Sequence, residues 1–137
     1  MIFVDSNIII DILEPDPVWA SWSSERLAKS GAHDRVFASA VVVAECAGRF
    51  ADLDDLTKRF HAMDVIIEDV PLQAMFVAGQ VFRRYRRESE RRDRVLADFL
   101  IGAHAAYRDA PLITRDSRLY RRYFPTLTLI TPETDHG

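Results

Sequence analysis

Four acids are the residues of this chain best suited to chemistry, and two of them, Glu45 and Asp98, are set among apolar or small neighbours. Asp5 ends the run Met1-Ile2-Phe3-Val4, and Glu45 lies within Val41-Val42-Val43-Ala44-Glu45-Cys46-Ala47. Asp98 lies within Leu96-Ala97-Asp98-Phe99-Leu100-Ile101-Gly102-Ala103, and Asp116 follows Leu112-Ile113-Thr114-Arg115. Alone, Asp5 could do no more than cap a helix. Several carboxylates in one place repel one another and rise in pKa unless a cation neutralises them. A hard divalent cation such as Mg²⁺ accepts oxygen ligands and keeps several waters. Such a site can activate water and stabilise an in-line displacement at phosphorus. No other cluster competes: His33, His61, His104 and His136 are dispersed, and the lone Cys46 reads as a core thiol. His104, six residues after Asp98 on one helix, points away from it.

The acids can meet only if the chain carries them to one edge of a sheet. Short apolar runs at 2–4, 36–38, 65–67, 112–113 and 127–130 read as strands. Between them, the spacing predicts helices over 8–13, from about 16 with Pro17 in the first turn, and over 40–50 with Ser39 as N-cap. Further helices are predicted over 53–63, 71–87, 95–107 and 117–123, with a turn at 31–35 and an exposed loop at 89–94. Strands alternating with helices imply right-handed crossovers and a parallel sheet covered on both faces. The fold expected is α/β, a three-layer α/β/α sandwich with a parallel sheet of about five strands. Ligands of such sheets bind at the carboxyl ends of the strands, where strand ends and the starts of the following helices lie together. One domain over 1–131 and a short frayed tail over 132–137 account for the chain, without repeats or low-complexity segments.

Composition bounds the class. With 137 residues, 48% hydrophobic and 28% charged, the chain is an ordinary globular domain. No apolar stretch approaches the roughly 18 to 20 residues that cross a membrane, and no signal peptide is evident. One cysteine excludes an internal disulfide and fits a cytoplasmic location. The net charge of −3 excludes a uniformly basic surface. Seven arginines nevertheless fall between 83 and 94: Arg83, Arg84, Arg86, Arg87, Arg91, Arg92 and Arg94. The guanidinium fork matches phosphate oxygens, so this run could face phosphates or form ion pairs on a solvated helix end. Trp19, Trp22, Phe50, Leu53 and Leu56 are expected mostly in the core.

Val4-Asp5-Ser6-Asn7, Ala44-Glu45, Asp98 followed by Ile101-Gly102-Ala103-His104-Ala105, and Thr114-Arg115-Asp116 resemble the signature of PIN domains. Their order and spacing resemble the VapC-type toxins of toxin–antitoxin pairs, over nearly the whole chain. The resemblance implies an endoribonuclease dependent on Mg²⁺ or Mn²⁺, with Asp5, Glu45, Asp98 and Asp116 as catalytic and metal-binding acids. It implies that Ser6, Asn7 and Thr114 orient those acids, and that Arg115 binds phosphate or bridges within the cluster. The same likeness implies transfer or ribosomal RNA as substrate, a VapB-type antitoxin, and homodimers joined with the antitoxin in a hetero-oligomer. A PIN nuclease of RNA processing is the nearest alternative. An aspartyl-phosphate phosphatase would need a second acid where Asn7 stands. A receiver-like Mg²⁺-binding domain would need a lysine at the end of the last strand, and Lys29 and Lys58 are elsewhere.

Overall fold

The computed structural model describes residues 1–90 and 93–134. Arg91 and Arg92 of the arginine run lie outside the described residues, as does the tail over 135–137. The strands are β1 (Ile2–Val4), β2 (Val36–Ser39), β3 (Val65–Glu68), β4 (Leu112–Ile113) and β5 (Leu129–Ile130). They form one parallel sheet in the order β3-β2-β1-β4-β5. The helices are α1 (Ser6–Leu13), α2 (Ala20–His33), α3 (Ala40–Cys46), α4 (Leu53–Ala62), α5 (Leu72–Glu88), α6 (Leu96–Tyr107) and α7 (Ser117–Tyr123). The expected α/β/α architecture with five parallel strands is therefore observed. β1 lies at the centre, with Phe3 and Val4 fully buried and paired to neighbours on both sides. Among the described residues no helix is long and apolar enough to cross a membrane.

Several boundaries differ from expectation, each for a local reason. α2 begins at Ala20 rather than near Asp16; ahead of it Asp16 caps a turn carrying Pro17, its Oδ1 accepting the Val18 and Trp19 amides, each at 2.8 Å, and its carbonyl the Ala20 amide at 3.0 Å. The same helix runs through Gly31 to His33, so the turn expected at 31–35 is reduced to its end. α3 stops at Cys46 and tightens into a 3₁₀ turn, Ala47–Arg49. β5 is shorter than predicted, and the chain beyond it is not frayed where described. Thr131 is buried, and its backbone and hydroxyl bond with Thr134 in a closed turn.

The core also sorts the apolar residues that periodicity alone groups together. α5 buries Ala74, Ala78 and Tyr85, whereas Leu72, Met75 and Phe76 are exposed. Leu56 is buried and Leu53 exposed on α4, and Cys46 is a buried free thiol whose pKa burial pushes up to about 11. His104 is buried with its ring 4.7 Å from that of Phe3, and its Nε2 lies 3.4 Å from Glu68.

One glycine of α6 allows two aromatic rings to pack directly against the helix. A Cβ on Gly102 would stand 2.7 Å from Phe124 Cε2 and 3.0 Å from Tyr120 Cε1, inside contact distance of two ring systems of the core. Gly102→Ala is expected to destabilise the fold by about 1–3 kcal/mol through overpacking, despite the helix preference for alanine. Urea unfolding checks this. A gain in stability would mean that the rings yield without cost.

Candidate active site

Asp5 is the N-cap of α1, directly beyond the carboxyl end of β1. Its amide donates to Ile113 O of β4 at 2.9 Å, so the residue is anchored between the two central strands. Its side chain is 3% exposed and surrounded by donors. Oδ1 accepts the Ser6 amide at 2.8 Å. Oδ2 accepts the Thr114 hydroxyl at 2.8 Å and the Tyr120 hydroxyl at 3.0 Å. Asn7 Nδ2 lies 3.5 Å from Oδ2 and 3.4 Å from Thr114 Oγ1. Burial nevertheless outweighs these donors and pushes the carboxyl up to about 6, with a further push from the charge of Asp98.

The other acids converge on the same edge by different routes. Glu45 is half-buried on α3, and desolvation raises its pKa while the Ser6 hydroxyl lowers it and Asp98 raises it again. Its Oε1 is buried without a hydrogen-bond partner among the described residues. Asp98 sits in the first turn of α6, accepts the Val95 amide at 3.4 Å, and is raised chiefly by burial, with Asp116 adding repulsion and Arg94 opposing it. The Asp98 charge thus raises both Asp5 and Glu45, and the Asp116 charge raises Asp98. Asp116 caps the start of α7 and is held by Arg94 through two guanidinium nitrogens, Nη2 to Oδ1 at 3.1 Å and Nη1 to Oδ2. Its amide donates to Thr114 Oγ1 at 3.0 Å, so Thr114 links Asp5 to the Asp116 loop.

The donor set suits a hard cation: oxygen atoms only, carboxyls strained by burial and mutual repulsion, and one buried carboxylate oxygen with no donor. Among the described residues no three His, Cys, Asp or Glu side chains form a ready-made metal cage. That is compatible with Mg²⁺, which binds through one or two carboxylates and retains waters.

Two residues depart from the roles drawn from sequence, and one was missed. Among the described residues the Arg115 guanidinium makes no hydrogen bond or ion pair with any of the four acids. Its guanidinium forms a two-bond fork on Asp11 of α1, both distances 2.8 Å, and lies over the Trp19 ring. Asp11 is buried and also accepts the Ser23 hydroxyl at 2.6 Å. Arg94, expected to face phosphate, is committed to Asp116. In the rest of the run, Arg84 pairs with Glu88 and lies over Tyr123, Arg86 lies over Phe82, and Arg83 and Arg87 are exposed. Tyr120 escaped notice because nothing in its sequence neighbourhood marks a donor. Burial and the nearby acids raise its pKa, so it keeps its proton and remains a donor to Asp5.

The profile of the PIN domain family matches residues 2–125. The chain belongs to the PIN domain family. Comparison with curated proteins finds no match. Among solved structures, this PIN domain is similar to a chain of VapBC2 from Rickettsia felis bound to a promoter DNA fragment, with TM-score 0.71 and 19% identity over 96% of this chain and 98% of that one. It is similar to a chain of DNA-bound VapBC from Salmonella typhimurium, with TM-score 0.69 and 20% identity over the same shares, 96% and 98%. A toxin–antitoxin complex from Klebsiella pneumoniae gives TM-score 0.64 and 20% identity over 96% and 98%. At such identities these likenesses concern the PIN fold, and family membership excludes the receiver and phosphatase alternatives.

Asp5 contributes a pH dependence to the stability of this PIN domain. Its folded pKa of about 6 exceeds the ordinary 3.8, so the native state binds the extra proton. The contribution of Asp5 to stability is then fullest below pH 4, falls as pH rises through about 6, and is level beyond. The span corresponds to about 3 kcal/mol for this group. Asp5→Asn should lack this slope. The difference between wild type and variant, measured by urea unfolding from pH 4 to 7 in EDTA, is expected to change by about that amount. A constant difference would mean that Asp5 titrates normally.

Proposed function

We propose that this PIN domain is an endoribonuclease dependent on Mg²⁺ or Mn²⁺, acting as the toxin of a VapBC-type pair. The observation that carries the reading is the convergence on Asp98 of Asp5, Glu45 and Asp116, with a buried Glu45 oxygen left without a donor. Asp5, Glu45 and Asp98 would hold the cation, one or two of them directly and the rest through its waters, with Asp116 joining directly or through water. The bound cation would supply charge neutralisation at the phosphodiester and acidity for the attacking water.

The chain's own groups do the rest. Ser6, Thr114, Asn7 and Tyr120 fix both oxygens of Asp5, so the carboxylate does not reorganise as charge develops. Glu45 Oε1, the carboxylate oxygen with no donor of its own, is the acceptor for the proton of the attacking water. In-line attack at phosphorus breaks the bond to the 3′ oxygen and leaves a 5′-phosphate and a 3′-hydroxyl. The arginines flanking the α5–α6 turn draw RNA toward an otherwise acidic pocket. An exposed loop of transfer or ribosomal RNA is the substrate class, because single-stranded loops present accessible backbone. A VapB-type antitoxin and a second copy of this chain complete the assembly, in the cytoplasm, with translation and growth arrested by the free toxin.

Sequencing RNA 5′ ends after induction in cells tests this. One dominant new end with a 5′-phosphate, together with growth arrest, is expected. Unchanged RNA ends despite soluble expression would refute the nuclease reading, and cleavage without arrest would favour an RNA-processing role.

A further inference from the structure

Beside the acids, a separate cleft of about 250 Å³ opens between the end of α5, the start of the loop to α6, and α7. Tyr85, Ser89, Arg94, Arg118, Arg122 and Tyr123 line it. We infer that this cleft is a nucleotide subsite that seats one RNA phosphate, with its nucleoside, next to the bond being cut. The choice of RNA rests on the nuclease reading above.

The placement links the cleft to the acids. Arg94 forms part of its wall and at the same time holds Asp116, so an occupant lies one side chain away from the acid cluster. The charge suits an anion. Arg118 and Arg122 are four residues apart on α7 and share a face, both exposed. Arg118 has no ion pair among the described residues, and Arg122 has only a long contact with Glu88 at 3.8 Å. Two guanidiniums without strong partners at one cleft are ready to receive a phosphate by paired hydrogen bonds. The remainder suits a nucleoside. Arg122 lies over the Tyr123 ring, and a guanidinium plane so held is a platform for a base. Ser89, Glu88 and Asp93 add acceptors along the wall, which favour a nucleotide with donors over a bare acidic chain. The frame is rigid. The Tyr85 hydroxyl accepts the Arg94 amide at 2.8 Å and donates to Asp93 at 3.1 Å, and Tyr85, Phe99 and Tyr123 pack ring against ring.

The test is fluorescence anisotropy with a 5′-fluorescein random-sequence decaribonucleotide, in EDTA across a salt series, using the full chain. Removing both guanidiniums from the one phosphate in Arg118→Ala/Arg122→Ala is expected to weaken binding on the order of tenfold to thirtyfold at 0.1 M salt and to flatten the logarithmic salt slope by about 0.7. The same charge removed elsewhere, in Lys58→Ala/Arg59→Ala on exposed positions of α4, should change neither quantity. Arg118→Lys/Arg122→Lys should retain the slope, which separates loss of contact from loss of fold. Unchanged binding by the alanine pair, or equal weakening by the α4 pair, overturns the subsite. So does a decaglutamate peptide that binds as well and responds to the same substitutions. Asp98→Asn keeps the two readings apart. If the wild type cleaves no RNA the nuclease reading fails, and if Asp98→Asn cleaves as the wild type does the acid cluster leaves the mechanism, whereas the subsite is judged by binding alone.

Discussion

Asp98→Asn is expected to lower RNA cleavage on the order of a hundredfold to a thousandfold while the protein melts no lower than wild type. Asp98 lies in the electrostatic reach of each of the other three acids, so removing its charge strips the cluster of its common member. Asparagine keeps the side-chain shape and an oxygen for the Val95 amide. Because burial and Asp116 already disfavour the charged form, neutralising it relieves strain in the fold. Lost activity with retained or increased stability is what a site held together for chemistry should show. Asp5→Asn should abolish cleavage similarly but with less benefit to stability. Its two oxygens face the Ser6 amide, two hydroxyls and the Asn7 amide, so an amide NH₂ must oppose donors on one side. Cleavage rates on one RNA, compared with thermal melts in EDTA, decide both. Full activity in Asp98→Asn would remove the acid cluster from the mechanism.

Arg115→Ala is expected to cost about 3–5 kcal/mol of stability, because it leaves the buried Asp11 carboxylate without its guanidinium. The Ser23 hydroxyl would remain to it, at 2.6 Å. The loss extends to the site. Arg115 lies between Thr114, which holds Asp5, and Asp116, and its own amide donates to Asn7 Oδ1 at 3.3 Å. The fork on Asp11 therefore clamps the loop after β4 onto α1. Arg115→Lys should recover only part of the stability, since an ammonium cannot make the two parallel bonds. In an Asp11→Asn background the same alanine substitution should cost much less, because no buried charge is stranded. Urea unfolding of the four proteins checks the cycle. Equal costs in both backgrounds would show that Arg115 acts through packing on Trp19 instead.

The acids and their carriers are readable from the chain because both depend on short-range pattern. Apolar runs of three or four residues ending in Asp5, Ser39 and Thr114 mark strand ends, and strand ends in a parallel sheet share an edge. Contacts across long separations leave no such pattern. Arg115 and Asp11 are 104 residues apart, and Tyr120 and Asp5 are 115 apart. Neither pairing is legible in the character of the residues, since an arginine beside an acid motif is as plausible on phosphate as on Asp11. Tyr120 reaches Asp5 only because Gly102 lets Tyr120 and Phe124 approach α6 closely. The start of α2 departs from expectation locally. There the cap and Pro17 do form a first turn, with Asp16 accepting two amides, but the regular helix is reached only at Ala20. On α5, periodicity identifies an amphipathic helix without showing which apolar stripe faces the core, and Leu72, Met75 and Phe76 lie outside it.

If Asp5, Glu45, Asp98 and Asp116 gather to hold a divalent cation, calorimetric titration of Mn²⁺ into the metal-free protein at pH 7 tests it most directly. Saturable binding to wild type is expected, lost in Asp98→Asn and weakened in Glu45→Gln. No binding to wild type, or the same binding in Asp98→Asn, would contradict the metal-holding role of the cluster.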